Sequence, residues 1–270
     1  MEQKNRRDSF YRIWEVLKPL IIYYVTYYAA FLLIIFLCNA VMEYFGGGLQ
    51  AYVAEHGDTL TELVSGVSMF IGVIPLMPLL RQELSVRRDN TIKSPTILLT
   101  VILAMSSSIA LNILLSLTGL VQTSKSYQEV AGHQYSVVFG VGVILFGLIS
   151  PIAEEIVFRG LVFNRMRRYY SMTAAIIVSG ALFGVYHGNL VQGLYGGCMG
   201  MLLSYTYERT KSFFIPCLFH ATANLTVYML TYAQTAYRGL QEVIFTVPGC
   251  ITLLIVSAVC IFITERLWKR

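Results

Sequence analysis

Apolar runs of about 20 residues recur along the chain, separated by short segments that hold nearly all its lysines and arginines. A run of that length, as a helix, spans the roughly 30 Å hydrocarbon core of a bilayer. Lipid offers no hydrogen bonds, so a spanning segment must satisfy its own backbone as a helix or within a closed barrel. The runs lack the two-residue alternation of barrel strands, which leaves helices. Composition agrees: of 270 residues, 56% are hydrophobic and 13% are charged, against about 25% charged in a soluble domain. The expected fold class is therefore all-α, a polytopic membrane protein forming one integral membrane domain over residues 1–270.

Eight transmembrane helices are expected, at about 20–41, 60–80, 96–121, 136–157, 173–187, 190–207, 212–231 and 243–264. Only Gly188 and Asn189 separate the fifth from the sixth. Of the 20 Lys and Arg residues, 18 fall on one side of this scheme. They are Lys4, Arg6, Arg7, Arg12 and Lys18 in the N-terminal tail, then Arg81, Arg87, Arg88 and Lys93 after span two. Arg159, Arg165, Arg167 and Arg168 follow span four, Arg209 and Lys211 follow span six, and Arg266, Lys269 and Arg270 close the chain. Lys125 and Arg238 alone occupy the opposite loops. The positive-inside rule then puts both termini in the cytoplasm. The net charge of +5 is a topology signal, and no nucleic-acid surface is expected from it. The first run is too long for a cleaved signal peptide and reads as a retained span. Five cysteines, odd in number and without metal-pair spacing, argue against a disulfide framework. The pattern suits a multi-pass protein of a bacterial plasma membrane.

Three polar stations interrupt this apolar background. Ionised groups at membrane depth cost about 2.5–3.5 kcal/mol each on the lenient insertion scale, so each station is a candidate site. The first is Pro151-Ile-Ala-Glu154-Glu155-Ile-Val-Phe-Arg159. On a helix Glu155 and Arg159 share a face, acid first, the better order for a pair. Glu154 is turned roughly 100° away and is free to face a cavity as a general base. Pro151 removes a backbone hydrogen bond just before the acids and provides a kink. The bland alternative is a surface ion pair at a helix end. The second station, Phe183-Gly-Val-Tyr-His187, stacks Phe183 and His187 on one face; a packing histidine at a helix end is the alternative. The third, His220-Ala-Thr-Ala-Asn224, projects both polar side chains into one space, where an interhelical hydrogen bond is the alternative.

Depth ties the stations together. At about 1.5 Å per residue, His220 and Asn224 lie about 12 and 18 Å from Ser212, and His187 about 21 Å from Thr173. If span four stays helical to Arg165–Arg168, Glu154 lies about 17–21 Å from that surface, level with the histidines. The glycines Gly193, Gly196, Gly197 and Gly200 suit close helix approach, and Ser106, Ser107 and Ser108 suit bonds to backbone carbonyls. Cys217, three residues before His220, offers a weaker cysteine–histidine reading that leaves the acids and Asn224 without a role.

Glu-Glu-x-x-x-Arg, Phe-x-x-x-His and His-x-x-x-Asn, in this order on separate spans, resemble the CPBP family of intramembrane proteases. That family joins type II CAAX prenyl endopeptidases to bacteriocin-processing and bacteriocin-immunity membrane proteins. The resemblance covers about 136–230 and implies a protease core in helices four to seven, with its site sunk in the membrane and open to the cytoplasm. It implies that Glu154 activates water with help from His187, that His220 and Asn224 stabilise the oxyanion, and that Glu155 and Arg159 support the first acid. It leaves two mechanisms open, one with Zn2+ held through Glu154, His187 and His220, the other a metal-free glutamate mechanism. The implied partners are the lipid bilayer and a peptide or membrane-protein substrate. Two other classes stand beside the protease: a non-catalytic immunity or adaptor protein, and a proton-coupled transporter using the same intramembrane Glu and His residues. Against the transporter, no inverted repeat or paired broken helices are evident.

Overall fold

The computed structural model describes residues 2–86, 92–234 and 246–268, with the backbone alone for 2–8, 47–49, 86 and 234. Arg87, Arg88, Arg238, Lys269 and Arg270 of the charge pattern therefore lie outside the described residues, and for Lys4, Arg6 and Arg7 only the backbone is described.

Among the described residues every regular element is helical. Helix α1 (Glu2–Phe45) and α2 (Gly47–Val73) form a hairpin turned at Gly46. Pro75 and Pro78 follow α2, and the chain passes through one 3₁₀ turn (Ile74–Leu76) before α3 (Met77–Val86). Helix α4 (Ser94–Leu117) starts with Pro95 in its first turn, where the missing N–H costs nothing. Two short helices, α5 (Leu120–Thr123) and α6 (Lys125–Ser136), lead into α7 (Phe139–Tyr169). Then come α8 (Met172–Tyr186), α9 (Leu190–Thr210), α10 (Phe214–Gln234) and α11 (Val247–Leu267).

A helix stands at each of the eight expected spans, and the molecule is polytopic and all-α. Six stretches among the described residues are long and apolar enough to cross a membrane. The two expected spans at 173–187 and 190–207 fall short, for different reasons. Helix α8 has 15 residues, about 22 Å of rise, less than the core of a bilayer. Helix α9 is 21 residues long but carries Gln192, Ser204, Glu208 and Arg209. It packs inside the protein, where its polar groups find protein partners, and needs little lipid-facing surface.

The α8–α9 hairpin turns at Gly188, whose φ of 73° favours glycine, and Asn189 caps α9 by accepting the Gln192 N–H at 2.9 Å. The two helices touch through backbone. A Cβ on Gly184 would stand 2.4 Å from the Gly193 carbonyl, and one on Gly180 2.9 Å from that of Gly197. This close approach is the use expected for the α9 glycines. The expected serine bonds also form: Ser108 Oγ donates to Met105 O at 3.0 Å, while Ser106 pairs with Ser257 of α11 at 2.8 Å.

Helix α7 is the most buried of the six long stretches. It continues past the expected end at 157 to the basic cluster, so the acids sit at depth. Two π-helical stretches widen it, Leu145–Ile149 and Ile156–Phe163, on either side of the Glu154–Glu155 turn. At its basic end Glu83 of α3 holds Arg165 at 3.2 Å and also Arg168, and Glu208 of α9 holds Arg167 at 3.1 Å.

Candidate functional site

Pro151 organises the wall of the site through what it lacks. In the π-helical stretch before it, the Ser150 N–H reaches back five residues to Leu145 O. The Phe146 carbonyl has thereby lost its α-helical donor. Its donor in the wider register is residue 151, a proline with no N–H. In a bilayer such a carbonyl must be satisfied from elsewhere. Asn224 of α10 supplies the bond, its Nδ2 donating to Phe146 O at 3.2 Å. Asn224 thus spends one N–H on α7 and keeps another, together with Oδ1, for the cavity it lines.

Asn224→Leu is accordingly expected to cost about 1–3 kcal/mol, the usual range for stranding a buried acceptor. Pro151→Ala restores a backbone donor, so the loss is expected to shrink in that background. A denaturation cycle in detergent measures this coupling; equal losses in both backgrounds would contradict the shared carbonyl.

One turn on, Glu155 and Arg159 form the buried pair expected from their spacing. Arg159 Nη1 donates to Glu155 Oε1 at 2.8 Å, and both side chains are fully buried. The guanidinium also donates through Nη2 to Gly200 O at 2.8 Å and lies 4.6 Å from the centre of the Phe183 ring. Gly200 lets α9 come this close, since a Cβ there would meet the Phe183 ring at 3.1 Å and Arg159 Nη2 at 3.2 Å.

The pair reaches His220. His220 Nδ1 stands 2.8 Å from Glu155 Oε1, joining α10 to α7. A carboxylate held by Arg159 can only accept, which assigns a proton to Nδ1 and aims Nε2 the other way. Nε2 faces Glu154 Oε2 across 3.7 Å, beyond hydrogen-bond length. Glu154 takes its direct bond from Ser150, whose hydroxyl donates to Oε1 at 2.8 Å. The Glu155–Arg159 pair therefore bonds to His220, while Ser150 holds the first acid. Sequence reasoning overlooked Ser150, although its place one turn before Glu154 is a visible signal.

His187, at the end of α8, pairs Nδ1 with Phe183 O at 2.8 Å. A carbonyl only accepts, so the proton belongs on Nδ1 and Nε2 is free. Gly196 leaves room for the ring, since a Cβ there would meet its Nδ1 at 3.0 Å. Phe183, also omitted from the expected site residues, is the hub. Its ring packs edge-on against His187 at 4.9 Å and His220 at 5.5 Å, while Arg159 covers it.

Four of the six expected residues, Glu154, His187, His220 and Asn224, line one cavity of about 280 Å³. Glu155 and Arg159 lie behind its wall. No hydrogen bond joins His187 to Glu154 among the described residues. Cys217 does not line the cavity, and His220 Nδ1 is engaged by Glu155. As for a metal, no group of three His, Cys, Asp or Glu side chains among the described residues is arranged to hold one. Glu154, His187 and His220 are not arranged as a ligand set for an ion.

Residues 136–226 match the family model described as type II CAAX prenyl endopeptidase Rce1-like. Of curated proteins, "Putative membrane peptidase YdiL" of Bacillus subtilis (strain 168) is 28% identical over 142 residues. That match covers 46% of this chain and 58% of the relative's length. No solved structure matches the chain significantly.

Proposed function

We propose, from the match of residues 136–226 to the type II CAAX prenyl endopeptidase model and from the likeness to a membrane peptidase, that the chain is a membrane-embedded endopeptidase of the CPBP family. Its substrate would be a membrane-associated peptide or protein, and residues 136–230 would form the catalytic core. The observation that carries this reading is the run Ser150–Glu154···His220–Glu155–Arg159, with its Glu154 end in the cavity.

Charge explains how such a run would work. Arg159 pairs with Glu155, which leaves Glu154 as the acid beside His220 on the cavity wall. His220 Nε2 faces Glu154 Oε2 at 3.7 Å, so a proton carried on Nε2 lies between the two side chains. Glu154 takes a proton from a water in the cavity as the water oxygen bonds to the scissile carbonyl carbon. The oxyanion that forms accepts the remaining Asn224 N–H and the Nε2–H of His220. When the carbon–nitrogen bond breaks, the proton leaves with the new amine. Preorganised donors of this type contribute about 2.7–4 kcal/mol each in other hydrolases. His187 presents a free Nε2 to the cavity, placed to orient the water or the substrate amide.

The family spans processing and immunity proteins, and a role in peptide processing is the one this reading favours. The test is exposure of a peptide library to purified protein in detergent, with products read by mass spectrometry. Cleavage at defined bonds, undiminished by a chelator, is expected. Intact peptides with detergent-solubilised, folded protein and with membrane-reconstituted protein would contradict the reading. Restoration of a chelator-silenced activity by zinc would contradict the metal-free form alone.

A further inference from the structure

The cavity has a side. Asn112, near the end of α4 away from the basic segments, contributes to its wall, as do Tyr127, Val130 and Gln134 of α6. So do Val191 and Gln192 in the first turn of α9. All six lie at the ends of the bundle opposite Arg165, Arg167, Arg168, Arg209 and Lys211. No residue of 81–95, 164–172 or 208–214 lines it. At that other end, Val157, Phe158 and Leu161 of α7 are buried below the acids, and the Glu83 and Glu208 ion pairs close the helix ends. Helix α6 frames the open end and is fastened to α2. Asp58 accepts from Ser136 Oγ and pairs with His133 Nδ1 at 2.7 Å, while Thr59 Oγ1 accepts the Val138 N–H at 3.1 Å.

Lys and Arg segments face the cytoplasm in a membrane that obeys the positive-inside rule. We propose that the cavity opens on the extracytoplasmic face, through the α6 end, and that the site takes an extended peptide segment presented from that face. The resemblance to CAAX endopeptidases implies a cytoplasmic opening; the lining residues place it at the other end. At about 280 Å³ the cavity lies at the lower end of ordinary ligand pockets, about 300–1,000 Å³, so it admits a stretch of extended chain and no folded domain. Glu62 of α2 also lines it, near His133 and Asp58, and makes no hydrogen bond or ion pair among the described residues. The substrate half of this proposal rests on the protease reading; the side of the opening does not.

The experiment uses single cysteines at Val130, Gln192 and Tyr170 in full-length protein with Cys38, Cys198 and Cys217 replaced by alanine. Sealed vesicles of known orientation are treated with a membrane-impermeant maleimide. Added from the extracytoplasmic side, it is expected to label Val130→Cys and Gln192→Cys and to leave Tyr170→Cys unlabelled; added from the cytoplasmic side, it labels Tyr170→Cys alone. Labelling of Gln192→Cys together with Tyr170→Cys would overturn the proposal. So would a Gln192→Cys unreactive from both sides while Val130→Cys reacts. A peptide that the enzyme cuts in detergent is then supplied to either side of sealed vesicles, and cleavage only from the cytoplasmic side would overturn the substrate half. Absence of cleavage even in detergent counts against the protease reading and leaves the labelling to decide the side.

Discussion

Arg159→Ala is expected to destabilise the protein by about 3–5 kcal/mol, the usual cost of removing one partner from a buried ion pair. The guanidinium is fully buried and touches three elements of the site at once: Glu155, the Gly200 carbonyl and the Phe183 ring. Its removal leaves Glu155, fully buried, with His220 as its one remaining hydrogen-bond partner, and opens a void beside Phe183. Glu155 Oε2 already has no hydrogen-bond partner among the described residues, so the acid has no second bond to fall back on. For a chain of this size the loss corresponds to a fall of roughly 6–20 °C in thermal midpoint, at about 2–4 °C per kcal/mol. Adding Glu155→Gln to Arg159→Ala removes the stranded charge and is expected to recover part of the fall. The check is a thermal denaturation series in detergent. An unchanged midpoint for Arg159→Ala would contradict the role given to the pair.

Much of this site was legible because helical spacing is rigid. Residues four apart must share a face, so helical spacing alone places Glu155 with Arg159 and His220 with Asn224. Helical rise also brought the three stations to one depth, on the condition that α7 stay helical to Arg165, which it does. What escaped depends on chain crossings and local backbone register. The bond between Glu155 and His220 joins positions 65 residues apart, and no local pattern encodes it. The π-helical stretches arise where tertiary contacts reward the wider turn, and only then does Pro151 leave Phe146 O to Asn224. Helix α8 was read as a span because it is apolar throughout; it has only 15 residues, with Ala175, Ser179, Gly180, Phe183 and Gly184 buried against protein and Ile177, Val178 and Val185 left exposed. The rim formed by α6 was also missed, since polar residues outside the spans carry no hydropathy signal that places them beside a cavity.

Glu154→Gln is the second large effect. The amide keeps the volume of the carboxylate and still accepts from Ser150 through its carbonyl oxygen, so the fold is expected to hold. It no longer takes a proton from the attacking water. General-base catalysis contributes about 10²- to 10⁴-fold, and turnover is expected to fall by an amount in that range with little change in peptide binding. Ser150→Ala is the milder companion, since it removes an orienting bond and leaves the base in place.

The most direct measurement is the single-turnover cleavage rate of one identified peptide by wild-type and Glu154→Gln protein at matched thermal midpoints. The Glu154→Gln protein should bind the peptide as wild type does and cut it at least about 100-fold more slowly. Wild-type cleavage rates in folded Glu154→Gln protein would contradict the assignment of Glu154 as the base.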